Sequence, residues 1–506
     1  MTTAPPVAPV ATGSGIVSEE LAKDKLGVAD IVFFQMSAAT PFTVVAGVVT
    51  TAFAVTGMTA IPFAFIAVAA VLCLFSVGYV AMSRHVVNAG AFYAYISQGL
   101  GRVPGVGAAM IALVAYNMMQ VGLYGLLGVA GSGLLETKLG WSVPWWLLAL
   151  ASWALTAVLG LRSVDVNSRV LAVLLCAEVL AIATFDVVFF THPADGLDFA
   201  PLAPTNLLAA GAGALLVLGI TGFVGFEHST IFAEEARNPR RTVPIATYVT
   251  ILVIALLYAA SAWGLAVALG TDKVVSAVRE APQPDMVPFE FVAQYLPTVL
   301  VDIANVLLIT SILAAMISFH NAVARYTFAL GRERVLPAFF GRTSAATGAP
   351  RNASIAQSLF GLVVILTYAI FGIDPMVWLF FAGGTTGAFG VLCLITGTSI
   401  AVIAFFARDA RGENLWRRLI APILASLALL WVLYQSAINF AALLDLPPDS
   451  PLAWQLPSIF GVAFVIGMVV ALIMRVRNPR AYSRIGLGAH ASTGRTSSLL
   501  EREVAQ

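Results

Sequence analysis

Apolar residues are gathered into twelve long blocks separated by short polar breaks, at about 29–50, 60–83, 104–134, 144–161, 168–190, 208–232, 243–269, 296–324, 353–373, 376–406, 419–443 and 454–474. Blocks of about 20 apolar residues match the thickness of a bilayer core when coiled as helices. They are too long and too evenly apolar for the alternating strands of an outer-membrane barrel. In lipid every backbone polar group must be satisfied within the structure, so a bundle of twelve transmembrane helices is expected. Residues 1–27 mix Pro, Ala, Thr and Gly without periodicity and read as a flexible tail. They lack the charged start and cleavage site of a signal peptide, so the first block should be retained. Residues 478–506, rich in Ser, Arg and Gly, read as a disordered tail.

Composition agrees with this pattern. The 506 residues are 59% hydrophobic and 10% charged, with mean hydropathy +0.92. Soluble chains carry about 25% charged residues. A net charge of +1 offers no footprint for nucleic acid, but the positions of the basic residues are informative. With the amino terminus inside, all of the 27 Lys and Arg except Lys138, Lys273 and Arg279 fall on the cytoplasmic side. A miscounted span would scramble that bias, so it supports both the count and the topology. A cell-membrane protein with both termini cytoplasmic is expected. Cys73, Cys176 and Cys393 lie in apolar stretches and read as small core residues rather than a disulfide or metal set.

Two spans contain residues that interrupt a helix. Span 1 holds Ser37-Ala38-Ala39-Thr40-Pro41, and proline in mid-helix removes a hydrogen bond and clashes with the preceding turn. Span 6 holds Gly219-Ile220-Thr221-Gly222-Phe223-Val224-Gly225-Phe226-Glu227. Spans 1 and 6 are five apart, as equivalent helices of two inverted five-helix repeats would be. On this reading the repeats occupy 28–190 and 208–406, with spans 11 and 12 in 416–475. Paired interruptions at matching positions point to a transporter binding site, where unwound backbone offers N–H groups to a carboxylate and carbonyls to a cation.

Glu227 is the most informative side chain, because a carboxylate in mid-membrane is costly and needs either a function or polar partners. Glu178, in the middle of span 5, has no partner in the local sequence and is suited to bind and release a proton. Asp186, nearer the outer end of that span, reads as an ordinary solvated carboxylate. Tyr116, Asn117, Gln120 and Tyr124 are spaced by three or four residues and share a face of span 3, where they either line a pocket or tie helices together. His320 reads as a hydrogen-bonded packing residue. None of the four lysines follows a glycine, which excludes a Walker A loop. His-Glu-x-x-His, Cys-x-x-Cys and Gly-x-Ser-x-Gly are also absent, so neither an enzyme nor a bound cofactor is indicated.

The run Gly222-Phe223-Val224-Gly225-Phe226-Glu227, followed by Glu234-Glu235-Ala236-Arg237-Asn238-Pro239-Arg240-Arg241-Thr242-Val243-Pro244, closely resembles the amino acid–polyamine–organocation (APC) superfamily. Members carry Phe-x-Gly-x-Glu in that helix and then Glu-Glu-x-x-Asn-Pro-x-Arg-x-x-Pro. Gly90-Ala91-Phe92-Tyr93-Ala94-Tyr95 with Gly99-Leu100-Gly101 resembles the family's first cytoplasmic loop. Arg325 and Gly331-Arg332-Glu333-Arg334-Val335-Leu336-Pro337 resemble the segment after its eighth helix.

The resemblance implies an all-α, five-plus-five inverted-repeat (LeuT-like) fold with helices 1 and 6 discontinuous around an amino acid or amine. Its carboxylate would meet Ala38, Ala39, Thr40 and Pro41, and its ammonium would meet carbonyls of Thr221, Gly222, Phe223 and Gly225. The family's glutamate maps to Glu227. Three departures stand out: Ala39-Thr40-Pro41 replaces the usual Gly-Ser-Gly-type turn, Thr221 replaces the gating tryptophan of some exchangers, and Glu178 lies at or near a position where some proton-coupled relatives carry a lysine. The expected activity is proton-coupled symport of an amino acid or small amine, with Glu227 and Glu178 as coupling candidates. Exchange without net ion coupling is the alternative, and a channel or receptor is more remote. The scarcity of carboxylates in the pocket segments argues mildly against multiply cationic substrates.

Overall fold

The computed structural model of the protein describes residues 17–18, 20–208, 212–444, 446–447 and 449–491. Among these, ten helices are long and apolar enough to cross a membrane, from Val28–Thr56 to Leu452–Arg477. The fourth predicted span is the shorter helix Trp145–Gly160. The sixth is divided into Ala212–Thr221 and His228–Ile231. Side chains such as Leu256, Ile370 and Val476, each more than 70% exposed, project from the bundle. An apolar surface of this kind suits lipid rather than water. Cys73, Cys176 and Cys393 are free thiols, but Cys176 is exposed on that surface instead of lying in the core.

The breaks follow from local sequence. Val28–Ala39 begins with the Gly27 N–H bonded to Asp30 Oδ2 at 2.8 Å. It ends at Thr40, whose φ of +46° is left-handed. Pro41 then opens the next helical stretch, a position where its missing N–H is harmless. The first half of span 1 packs among spans 5, 7 and 8 and the second half of span 6, so both interruptions lie inside the bundle.

The end of the bundle that carries residues 20–27 and 479–491, here the basic face, is tied by buried charges. Arg325, 1% exposed, donates to both carboxylate oxygens of Glu235 and, through Nη1, to Asn321 Oδ1 at 2.9 Å. Arg332 pairs with Glu234 through two bonds of 2.6 and 2.7 Å. Glu333 accepts from Asn88 Nδ2, Tyr93 Oη and the backbone N–H groups of Gly486 and Gly488. The motifs at 90–101, 234–244 and 325–337 thus bind one another.

Both tails contribute to this face. Residues 25 and 26 donate backbone bonds to the Glu235 carbonyl, Arg237 N–H returns one to Leu26, and Val17–Ser18 pairs antiparallel with Thr343–Ser344. Residues 20–27 are therefore pinned rather than free. Residues 479–491, expected to be disordered, include the helix Pro479–Ser483 and the turn Gly488–Ala491. Hydrogen bonds to Glu333 compensate for the poor apolar content that suggested disorder. Residues 1–16, 19 and 492–506 of the two expected tails lie outside the described residues.

Candidate functional site

Spans 1 and 6 touch at their interruptions. Gly225 has φ +117°, and a Cβ there would stand 2.5 Å from Ala38 Cβ and 3.0 Å from the Gln35 carbonyl oxygen. Only glycine permits both that backbone and that approach. Gln35 Nε2 donates to the Phe226 carbonyl, and Thr250 Oγ1 holds Gln35 Oε1 at 3.0 Å. Tyr258 Oη, from span 7, donates to the Ala39 carbonyl at 2.9 Å. The last turn before the span 1 break is thereby fixed to span 7 and, through Gln35, to the span 6 break.

Glu227 is fully buried just beyond the glycines. Tyr116 Oη donates to its Oε1 and the Gly225 N–H to its Oε2, both at 2.8 Å. Its backbone carbonyl accepts from Tyr79 Oη at 3.1 Å and Thr230 Oγ1 at 3.2 Å. His228 Nε2 lies 3.9 Å from Oε1, and its Nδ1 is 3.4 Å from Ser318 Oγ. Glu178, 1% exposed, serves the other half of span 1. Its Oε1 accepts from the Phe42 N–H and from Ser311 Oγ, each at 2.6 Å. One carboxylate thus supports the span 6 break, and the other caps the helical stretch that restarts at Pro41 and ties it to spans 5 and 8. Both carboxylates are met by neutral donors, an arrangement in which a proton or an ammonium would neutralise an uncompensated charge.

A family model described as amino acid permease matches residues 26–485, nearly the whole chain. The chain belongs to the amino acid permease family. This places it in the APC superfamily, as the motifs suggested. Among curated members, an uncharacterized amino acid permease of Bacillus subtilis, YecA, is 25% identical over 60% of this chain and 68% of its own length. The histidine permease HisP of Lactococcus lactis is 31% identical, over 40% of this chain and 41% of its own length. The low-affinity putrescine importer PlaP of Escherichia coli is 24% identical over 74% of this chain and 80% of its own length. A Na+-coupled sialic acid symporter superposes with TM-score 0.52 at 11% identity, covering 83% of this chain and 90% of that one. A manganese transporter of Eremococcus coleocola gives 0.53 at 10%, covering 91% and 98%. At such low identity these neighbours show the fold alone, and it is the LeuT-like transporter fold expected for this permease.

Within the permease, the residues singled out by sequence have different placements. Ala38, Ala39, Thr40, Pro41, Gly225, Tyr116 and Glu227 surround the meeting of the two breaks. Gly222 packs near Val44 and Tyr258, and the Phe223 ring lies among Phe65 and Tyr258. Thr221 Oγ1 turns back to the Leu218 carbonyl at 2.7 Å. Asn117 Nδ2 likewise bonds its own helix, at the Leu113 carbonyl, while Gln120 Nε2 bonds Tyr124 Oη at 3.2 Å. Asn117 Oδ1 and Gln120 Oε1 are buried without a partner. Glu178 shares no hydrogen-bond partner with Glu227. His320 bonds Ser354 at 2.8 Å, as a packing residue would. Asp186 is half-buried.

Sequence reasoning passed over Gln35, Tyr79, His228, Thr250, Tyr258 and Ser311. A polar residue inside an apolar block was the available signal. It was strongest for Gln35, one turn before the span 1 break, and for His228, beside Glu227.

Proposed function

We propose that this permease is a secondary active transporter of the cytoplasmic membrane, with both termini inside, that moves an amino acid or related small amine by alternating access coupled to protons. The contact of Gly225 with Ala38, with buried Glu227 beside it, carries this reading. Broken helices that meet in mid-bundle are where transporters of this architecture bind their cargo. Ala38–Pro41, Tyr116, Asn117, Gln120, Thr221, Gly222, Phe223 and Gly225 are the proposed pocket residues, and Glu227 and Glu178 the proposed proton carriers.

In this scheme the substrate ammonium meets Glu227 and carbonyls of the span 6 break. Neutralising that carboxylate removes a buried charge and alters the hold that Tyr116 and the Gly225 amide exert on it. The bonds of Arg325 to Glu235 and of Arg332 to Glu234 would close the cytoplasmic path and would have to separate for inward release. Uptake by reconstituted protein tests the reading. Symport accumulates labelled substrate in proportion to an imposed proton gradient. Exchange would instead require internal substrate and ignore the gradient, and current or binding without accumulation would indicate a channel or receptor.

A further inference from the structure

We propose that Glu178 is a specificity-determining residue that directs this permease toward protonated amines lacking an α-carboxylate, in preference to α-amino acids. The inference rests on reading the paired breaks as the substrate site.

An α-amino acid needs two opposite things from its site: acceptors for the ammonium and hydrogen-bond donors for the carboxylate. The backbone donors at both breaks are already committed. In span 1 the Thr40 N–H donates to the Ser37 carbonyl at 3.3 Å, Pro41 has no N–H, and the Phe42 N–H is held by Glu178 at 2.6 Å. In span 6 the N–H groups of Gly222, Phe223, Val224 and Phe226 each reach back three residues, at 3.1–3.3 Å, and that of Gly225 is held by Glu227. The side-chain donors follow suit: Tyr116 serves Glu227, Tyr258 serves Ala39, and Thr221 serves Leu218.

Acceptor capacity is left on side chains, since the same turns occupy the carbonyls of Gly219, Ile220, Thr221 and Phe223. Asn117 Oδ1 and Gln120 Oε1, beside Tyr116 and one turn beyond it on span 3, are buried and unpartnered. Glu227 meets neutral donors, with His228 Nε2 3.9 Å away. The unpartnered hydroxyls of Ser37 and Thr43 and the Nε2 of His228 can donate or accept, so they do not favour a carboxylate.

Glu178 completes the argument. Its Oε1 takes both the Phe42 amide and the Ser311 hydroxyl, so Oε2 can gain or lose a proton while the amide stays occupied. The chain thus supplies its own carboxylate where the span 1 helix restarts. A zwitterion would bring a second one into a desolvated site whose backbone amides are taken, whereas an ammonium alone finds the Glu227 carboxylate.

The test is uptake into proteoliposomes of matched pairs that differ only in the α-carboxylate: isobutylamine and valine, phenethylamine and phenylalanine, histamine and histidine. The amine of at least one pair should enter about 100-fold faster than its amino acid, the scale set by one uncompensated charged group. Glu178→Ala releases the Phe42 amide and, measured as counterflow that needs no proton gradient, should narrow that preference in favour of the amino acids. Ser311→Ala leaves Glu178 on the amide and should keep the preference. Should Glu178→Ala fail to fold, the wild-type comparison and Ser311→Ala still decide the matter. Equal or faster uptake of the amino acids by wild type overturns the role of Glu178 while leaving the transporter reading intact. If neither set is taken up, the reading of the breaks as an amino acid or amine site falls, and this inference with it.

Discussion

Replacing Gly225 by alanine measures how tightly the two broken spans are joined. The added Cβ would lie 2.5 Å from Ala38 Cβ, 3.0 Å from the Gln35 oxygen and 3.2 Å from the Ala38 carbonyl carbon. Carbon atoms rest about 3.5–4.0 Å apart, so the spans must part by roughly 1 Å. Holding alanine at φ +117° adds strain of about 1–3 kcal/mol, and overpacking adds about 1–3 kcal/mol. The variant should therefore be destabilised by roughly 2–6 kcal/mol, and parting the spans would stretch the neighbouring Gln35–Phe226 bond. Fluorescence-detected size exclusion after graded heating measures the loss, and uptake measures its effect on transport. Gly47→Ala is the control, since a Cβ there meets nothing within 4 Å. Helical alanine should leave it as stable as wild type or slightly more so. If Gly225→Ala melts and transports like Gly47→Ala, the close contact does not join the spans and the site must be sought elsewhere.

Glu227→Gln should abolish uptake yet leave a folded, monodisperse protein, because the amide keeps the shape while losing the charge; wild-type uptake would sink the assignment. Glu178→Gln still offers an oxygen to the Phe42 amide but cannot carry a proton. It should lose gradient-driven accumulation, and an unchanged accumulation and pH profile would remove Glu178 from coupling. Tyr116→Phe deletes a donor to buried Glu227 and should lower stability by about 1–3 kcal/mol and slow uptake; an unchanged melting curve would refute the geometry of that bond. Arg325→Ala strands Glu235 without its partner, at a loss of about 3–5 kcal/mol. Cysteines introduced beneath the basic face should then label faster, and unaltered labelling would mean that this pair does not close the path.

The apolar blocks and their interruptions were legible because they are local. Pro41 and the glycines of span 6 break a helix whatever surrounds them, and Glu227 is conspicuous in lipid by its charge alone. The partners were not legible. Phe42 meets Glu178 across 136 residues and Tyr116 meets Glu227 across 111, and such pairings leave no periodic trace. The free amides expected at the breaks are another case. Unwinding predicts that helical bonds are lost, but only the folded chain shows that Glu178, Glu227 and tight turns take up the donors. Composition misled at the carboxyl end, where 479–491 has little apolar surface but is held by hydrogen bonds to Glu333.

That last attachment bears on how the protein is made. Of the four donors that Glu333 receives, two belong to Gly486 and Gly488, which follow the last apolar block along the chain. Every apolar block can already be in the bilayer while this buried acid still lacks half its partners. Completion of the basic face therefore has to wait until the last apolar block has been made. A chain cut short before Gly486 would carry all these apolar blocks but an unsealed basic face, giving quality-control proteases a way to recognise it.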